Sequence, residues 1–250
     1  MIHVFNKTAI DHAIEKWDDV ERFNSCLMRL AARRRAEIQV EGPLTESKTA
    51  WKCAVLQQSL LYRVTMLASG CAESWNSGNV VSSMLSARGL LETIVLCDFV
   101  RNQLEKFVDG KDIEAIEKLA NESLFATRDK AFIAGGFGHE ARSILTFVDK
   151  FEKKIPGIRD HYEFISEWCH PNGSGVLFTY GEINKQNGSV KFAEVTPRVT
   201  GIQGHIIACF MLVLFMEPNM DAIDKLILEI SELDPNIGPW MNEPAGWGPV

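Results

Sequence analysis

The sequence predicts a mainly α fold, a multi-helix bundle of seven to nine helices with one inserted β-hairpin. Only one of the nine prolines, Pro43, lies in the first 155 residues, and long stretches without helix breakers favour long helices. Apolar residues recur at helical spacing through those stretches. The pattern changes near residues 176–195, where β-forming residues flank Asn187-Gly188, a typical hairpin turn.

The first helix is predicted over 8–35, with Thr8 as its N-cap. It ends in Arg33, Arg34 and Arg35, whose charges suit the negative end of a helix dipole. A phosphate-binding patch that also includes Arg29 is the alternative interpretation of this basic segment.

The next two helices are predicted over 45–73 and 80–108, the latter between an Asn79 N-cap and a stop at Asp109-Gly110. Between residues 84 and 100 its only charged side chains are Arg88, Glu92 and Asp98. A helix that is apolar on nearly all sides belongs at the centre of a bundle.

Three further helices are predicted over 112–130, 140–154 and 159–170. The glycine-rich break at 134–138 lacks the Gly-Lys-Ser/Thr ending of a phosphate loop, and we interpret it as a linker.

The hairpin is predicted to pair 176–183 with 190–195 through a tight turn with positive φ angles. Two last helices are expected over 201–217 and 219–233, separated at Pro218. Residues 1–233 are therefore predicted to form a single helical domain, followed by a tail rich in proline, glycine and tryptophan over 234–250.

Composition limits the function classes. The chain has 250 residues, 26 basic and 33 acidic, for a net charge of −7, so it has no overall basic field to attract nucleic acid. The overall charge does not exclude a local basic patch. The most apolar run, 206–216, is predicted to be the most buried helical segment, and it is too short for a bilayer, which needs about 20 residues.

The remaining composition signals concern the compartment. The six cysteines form no Cys-x-x-Cys pair, so neither a zinc ribbon nor a thioredoxin-like site is predicted. The N-terminus lacks the pattern of a signal peptide. We expect a cytoplasmic protein without a membrane segment.

Arg88 and Glu92 form the first candidate for chemistry. They stand four residues apart, on one face of the predicted central helix, and charges are rarely buried without partners. Two interpretations remain open, a structural polar clamp and the floor of a functional pocket.

The second candidate is a polar stripe on the 159–170 helix. Glu163, Ser166, Glu167 and His170 follow each other at i, i+3, i+4 and i+7. We expect this stripe to face the charged pair, where histidine and glutamate form an acid–base or ligand-binding set; a solvated face is the alternative. The candidate catalytic residues are Arg88, Glu92, Glu167 and His170.

A family resemblance rests on the same residues. Residues 162–171, Tyr-Glu-Phe-Ile-Ser-Glu-Trp-Cys-His-Pro, resemble a helix found in a large group of uncharacterised bacterial helical proteins, which also have an earlier helix similar to 88–92. That group is loosely similar to the HEPN-like superfamily, whose active members include RNases of defence and toxin systems. The resemblance implies a helical fold and RNA or a nucleotide as partner. Its Arg-x(4–6)-His motif is matched in spacing by Arg198 and His205, whereas Arg159 and His170 lie too far apart.

Metal and cofactor sites are not predicted. Glu167 and His170 have the Glu-x-x-His spacing of di-iron bundles, but a second such unit is missing from the sequence.

Two functions stay open: a HEPN-like protein that binds or cleaves RNA, and a non-catalytic binding or scaffold protein whose Arg/Glu/His cluster is structural. The hairpin is expected to cover the region around His170, as a flap or as the edge of a homodimer, with fold stabilisation as the alternative.

Overall fold

The computed structural model describes residues 1–10, 17–194 and 199–234. Helices account for 72% of these described residues, which confirms the mainly α fold with an inserted hairpin. The helices of the described part are α1 (Trp17–Ala32), α2 (Lys48–Asn76), α3 (Val80–Asp109), α4 (Ile113–Leu124), α5 (Lys130–Ala134), α6 (Ile144–Glu152), α7 (Ile158–Cys169), α8 (Val199–Met211) and α9 (Met216–Leu233). The strands are β1 (Ala126–Thr127), β2 (His139–Glu140), β3 (Gly181–Asn184) and β4 (Ser189–Phe192).

The centre of the fold is α3, which packs against α2, α4, α6, α7, α8 and α9. Local signals define its ends. The Asn79 side chain accepts a hydrogen bond from the Ser82 N–H at 3.1 Å, which satisfies a donor that the first helical turn leaves free. Gly78 supplies the positive φ of 80° that the short α2–α3 turn needs. The prediction of a central third helix is confirmed.

The prediction for residues 206–216 is wrong. The run in α3 from residue 90 to 100 is more completely buried, whereas Met211 and Phe215 remain 41% and 37% exposed. The reason is position: residues 90–100 belong to α3, which packs against six other helices, while 206–216 presents one side to solvent.

The break between the last two helices is also misplaced in the sequence prediction. The interruption is a 3-10 turn, Leu212–Phe215, and α9 already begins at Met216. Pro218 therefore lies in the first turn of α9, where a missing N–H costs no hydrogen bond.

The first predicted helix does not begin at Thr8. A 3-10 turn, Lys7–Ala9, is followed by extended backbone at Ile10, and α1 is described from Trp17. The segment before the turn is held by Asn24: the Phe5 N–H donates to its Oδ1 at 3.1 Å and its Nδ2 donates to the Phe5 carbonyl at 3.0 Å. These long-range side-chain bonds have no signature in local sequence.

The hairpin is shorter than predicted. Residues 174–178 form a π-helical turn, and only Gly181–Asn184 pairs with Ser189–Phe192. The connection has four residues, and Gly188 alone among them has positive φ, at 70°, so the expected tight turn with several positive φ angles is wrong. A second feature was not predicted: β1 and β2 form a two-residue parallel pair after α4 ends at Leu124.

The hairpin does not bury His170, which is exposed. Apart from Gly181, every residue of β3 and β4 is exposed. The expectation that the hairpin acts as a flap over His170 is therefore not met, while a role as a dimer edge stays a prediction. The predicted tail over 234–250 lies outside the described residues except for Asp234.

Two helical stretches of the described residues, Val80–Asp109 and Gly201–Leu233, are long and apolar enough by composition to cross a membrane. Their most apolar windows are 56% and 50% buried within the fold. Core helices of soluble proteins pass the same test, so this is weak evidence for a membrane segment.

Candidate functional site

Arg88 and Glu92 form an ion pair on α3, as their spacing predicts. The Arg88 Nε donates to Glu92 Oε1 at 3.0 Å. Their side chains are 29% and 26% exposed, so the pair is half-buried at the edge of the core. A guanidinium at this depth keeps part of its hydration, which lowers the cost of placing a charge there.

The partner that α7 supplies is Tyr162. Its hydroxyl donates to Glu92 Oε1 at 3.1 Å and accepts from Arg88 Nη2 at 3.4 Å. The Arg88 guanidinium also lies 5.6 Å from the centre of the Tyr162 ring, within reach of a cation–π interaction. We call these three residues the Arg88 cluster.

The electrostatics of the Arg88 cluster favour a permanent positive charge. Burial by itself would lower the pKa of Arg88, but the hydrogen bond to Tyr162 and the charge of Glu92 raise the pKa above its usual value. The cluster is therefore a fixed cation beside a carboxylate and a phenol.

Glu163 and Glu167 of the predicted polar stripe face away from this cluster. Glu163 accepts a hydrogen bond from Arg159 Nε at 2.7 Å on the outer face of α7. Glu167 accepts from Asn172 Nδ2 at 2.7 Å, and it is exposed. The expectation that Arg88 and Glu92 bond to the stripe is wrong, because α7 turns its apolar face, with Ile158 and Ile165, towards the core.

His170 is the C-cap of α7 and is exposed. Among the described residues, its side chain makes no hydrogen bond or ion pair with Arg88 or Glu92. Tyr162 and His170 are eight residues apart, roughly 12 Å along a helix axis. The four candidate catalytic residues therefore separate into two sets, Arg88 with Glu92, and Glu167 with His170.

Two side chains lie on the inner face of α7, beside Tyr162: Ser166, which is the one member of the predicted stripe that is not exposed, and Cys169. Ser166 has a buried Oγ that finds no hydrogen-bond partner in the described part of the chain. Burial raises the pKa of the half-buried Cys169 thiol to about 11; the nearby charge of Arg88 lowers it by less. Tyr162 is not among the candidate residues selected from the sequence, although a tyrosine at a core boundary commonly presents its hydroxyl to a polar partner.

A second polar pair was not predicted as a unit. His161 Nδ1 lies 2.9 Å from His205 Nδ1, and the His205 ring stacks on Phe164 with 3.6 Å between centroids. The sequence pairs His205 with Arg198 by spacing, but Arg198 lies outside the described residues. Two histidines are too few for a stable metal site, and no group of three or more His, Cys, Asp or Glu residues within the described ranges could hold a metal ion.

The basic end of α1 is paired with acids of α9. Arg29 makes a two-pronged interaction with Glu217, with both N···O distances at 2.7 Å. Arg33 contacts Asp221 at 2.8 Å and Asp224 at 2.9 Å. Arg29 and Arg33 are thus matched by acids and join two helices, which disfavours a phosphate site at these two arginines, whereas Arg34 and Arg35 form no ion pair with a described residue.

Comparison with known proteins adds no relative to this description: no protein-family model, no curated protein and no solved structure matches the chain. The resemblance to HEPN-like proteins accordingly stays a prediction.

Proposed function

We propose that this chain is a cytoplasmic, HEPN-like helical protein that binds RNA or a nucleotide through the Arg88 cluster without cleaving it. The observation that carries the proposal is the state of the Arg88 guanidinium. Nε and Nη2 are engaged by Glu92 and Tyr162, while Nη1 makes no hydrogen bond to any described residue.

A guanidinium held in this way suits phosphate recognition. Its plane is oriented by two bonds and a ring, so little side-chain freedom is lost when an anion binds. The side chain is 29% exposed, which leaves Nη1 accessible.

Binding is favoured over cleavage by the position of His170. Acid–base catalysis requires the catalytic groups within hydrogen-bond reach of one reacting centre, and His170 is separate from the Arg88 cluster. Glu163 and Glu167 are exposed on the same helix and would repel a phosphodiester backbone near His170.

The cytoplasmic part of the proposal is supported by the cysteines. All six are free thiols, as is usual where thioredoxin and glutathione keep thiols reduced.

The test compares Arg88→Lys with Arg101→Lys, a control on the same helix. Each arginine pairs with a glutamate four residues on, and lysine keeps the charge but loses the planar fork. With a short fluorescent RNA and a fluorescent nucleotide, we expect Arg88→Lys to weaken binding at least tenfold and Arg101→Lys to leave it unchanged. Total RNA should stay intact in the presence of the wild-type protein.

Two results would contradict the proposal. RNA hydrolysis that His170→Ala abolishes would assign cleavage to His170. Equal binding by both lysine variants would remove Arg88 from the interface.

The second candidate function is a non-catalytic scaffold with a structural Arg88 cluster. It is favoured by the local charge balance, since Glu92 neutralises Arg88 and the whole chain carries −7. This alternative predicts that Arg88→Lys lowers thermal stability while no RNA or nucleotide binds the wild-type protein.

A further inference from the structure

A cavity of about 780 Å³ lies between the loop that joins α1 to α2 and the outer sides of α2 and α9. Its volume is within the range of about 300–1,000 Å³ that is typical of small-molecule sites. The cavity is separate from the Arg88 cluster, and none of the sequence motifs discussed above lies in it except Arg35.

The floor of the cavity is apolar. Leu44 comes from the loop, Ala54 from α2, and Ile227 with Leu228 from α9. Ala54 and Ile227 are buried, whereas Leu228 is 52% exposed. An apolar ligand body placed here would cover Leu228 and gain about 25 cal/mol for each Å² removed from water.

Gln57 supplies a polar group of defined orientation. The residue is only 5% exposed, and its Nε2 donates to the Met220 carbonyl at 3.1 Å and to Asp224 Oδ1 at 2.8 Å. Both partners can only accept, so the amide cannot be flipped without losing both bonds. Its Oε1 then remains as an acceptor that no described residue satisfies, on a side chain that lines the cavity.

The charged side chains that line the cavity are mostly carboxylates, which accept hydrogen bonds as well. Glu37 and Glu41 line it and form no ion pair with a described residue, and Asp224 is already matched by Arg33 at 2.9 Å. Arg35 is the one cation among the described lining residues. Glu37 and Glu41 bring two negative charges against the single positive charge of Arg35, and Gln57 Oε1 adds an unsatisfied acceptor, which selects a ligand that brings N–H groups and a positive charge.

We propose that this cavity binds an organic amine, with its apolar body on Leu44, Ile227 and Leu228. The ammonium group donates hydrogen bonds to Gln57 Oε1 and to the carboxylates of Glu37 and Glu41. The apolar body supplies most of the affinity, and the acceptors supply selection for the cation.

The experiment uses the full chain and three probes that share an indole ring: tryptamine, neutral tryptophol and anionic indole-3-acetate. Binding is measured by isothermal titration, and its location by methyl chemical shifts of Ile227 and Leu228. We expect tryptamine to bind at least tenfold more tightly than indole-3-acetate, with tryptophol between them.

Two variants and a control locate the site. Leu228→Arg places a long cation in the cavity and should weaken tryptamine at least tenfold. The matched control, Leu85→Arg, changes a leucine of similar exposure, 50%, on α3 and should leave binding unchanged. The double variant Glu37→Gln/Glu41→Gln should weaken tryptamine and leave tryptophol unaffected.

The proposal is overturned if tryptamine does not bind, if indole-3-acetate binds as well as tryptamine, or if Leu228→Arg binds like the wild type. Both leucine positions are half-exposed, so neither substitution threatens folding.

Discussion

His161 on α7 and His205 on α8 share a hydrogen bond between their Nδ1 atoms, 2.9 Å apart. One ring must donate and the other must accept, so at least one of the two rings is neutral. Burial first, and the nearby His161 second, lower the pKa of His205 below 6.5. The pair ties α8 to α7 only while the accepting ring is unprotonated.

This pair predicts a loss of stability in mild acid. Because the folded-state pKa of His205 lies below its unfolded value, the unfolded chain binds more protons between the two values, and stability falls as pH drops through and below 6.5. Chemical denaturation at pH 7.5 and 5.5 measures it. His205→Gln should be less stable than the wild type at pH 7.5, and the difference should shrink at pH 5.5. A difference that stays constant or grows would contradict the role of His205.

The Arg88 cluster predicts unequal effects at two matched positions of α3. Glu92→Ala leaves Arg88 half-buried without its carboxylate and should cost about 1–3 kcal/mol. Glu105→Ala removes the more exposed i,i+4 partner of Arg101 and should cost under about 0.5 kcal/mol. Tyr162→Phe, which deletes only the hydroxyl, should cost about 0.5–1.5 kcal/mol. Equal losses of unfolding free energy for the two glutamate variants in urea would show that the cluster stabilises the fold no more than the exposed Arg101–Glu105 pair does.

The Arg29–Glu217 interaction predicts a second loss of stability, which occurs at a more acidic pH. The hydrogen bond from Arg29 lowers the pKa of Glu217 below 4.5, so its contribution is present above that pH and is lost as pH falls through the lowered pKa. Arg29→Gln should reduce stability at pH 7 and have little effect at pH 3. The control is Arg22→Gln, since Arg22 is 70% exposed and contacts Asp19 only at 3.6 Å. A similar pH dependence for both variants would exclude a specific effect.

The thiols predict selective labelling at one cysteine. Burial raises the pKa values of Cys26, Cys53, Cys71 and Cys97 to about 12, whereas Cys169 is partly exposed, with a pKa of about 11. Since the thiolate is the reactive form, a thiol reagent at pH 8 should label one cysteine slowly in the native protein. Mass spectrometry should place that label on Cys169, and Cys169→Ser should remove it. Labelling of two or more cysteines before unfolding would contradict the buried positions.

The hairpin predicts tolerance to deletion. Apart from Gly181, its strand residues are exposed, and the apolar side chains of one face, Ile183, Val190 and Phe192, are 45%, 41% and 70% exposed. Replacing residues 182–192 with a short glycine linker should therefore change the free energy of unfolding by less than about 1 kcal/mol. If the hairpin is the edge of a homodimer, the same deletion should convert a dimer to a monomer in analytical ultracentrifugation. A large drop in the melting temperature of a monomeric protein would instead assign the hairpin to fold stabilisation.

The sequence by itself determined the long helices. Predicted bounds of 45–73 and 80–108 compare with Lys48–Asn76 and Val80–Asp109, because caps and breakers such as Asn79 and Gly78 act on the backbone within a few residues. The central position of α3 followed from its nearly uniform apolarity. The charged pair on it followed from spacing alone, since residues four apart on a helix are always neighbours.

Only the tertiary structure decided what that pair contacts. The polar stripe and Tyr162 lie on the same helix, and which of them meets Arg88 depends on how α7 rotates about its axis. Burial of Ile158 and Ile165 against the core sets that rotation, and it brings the Tyr162 hydroxyl to Glu92 while Glu163 and Glu167 remain in solvent. The His161–His205 bond depends in the same way on the packing of α7 against α8. Such contacts join residues far apart in the chain, and their geometry comes from packing of whole helices, which spacing within one helix does not encode.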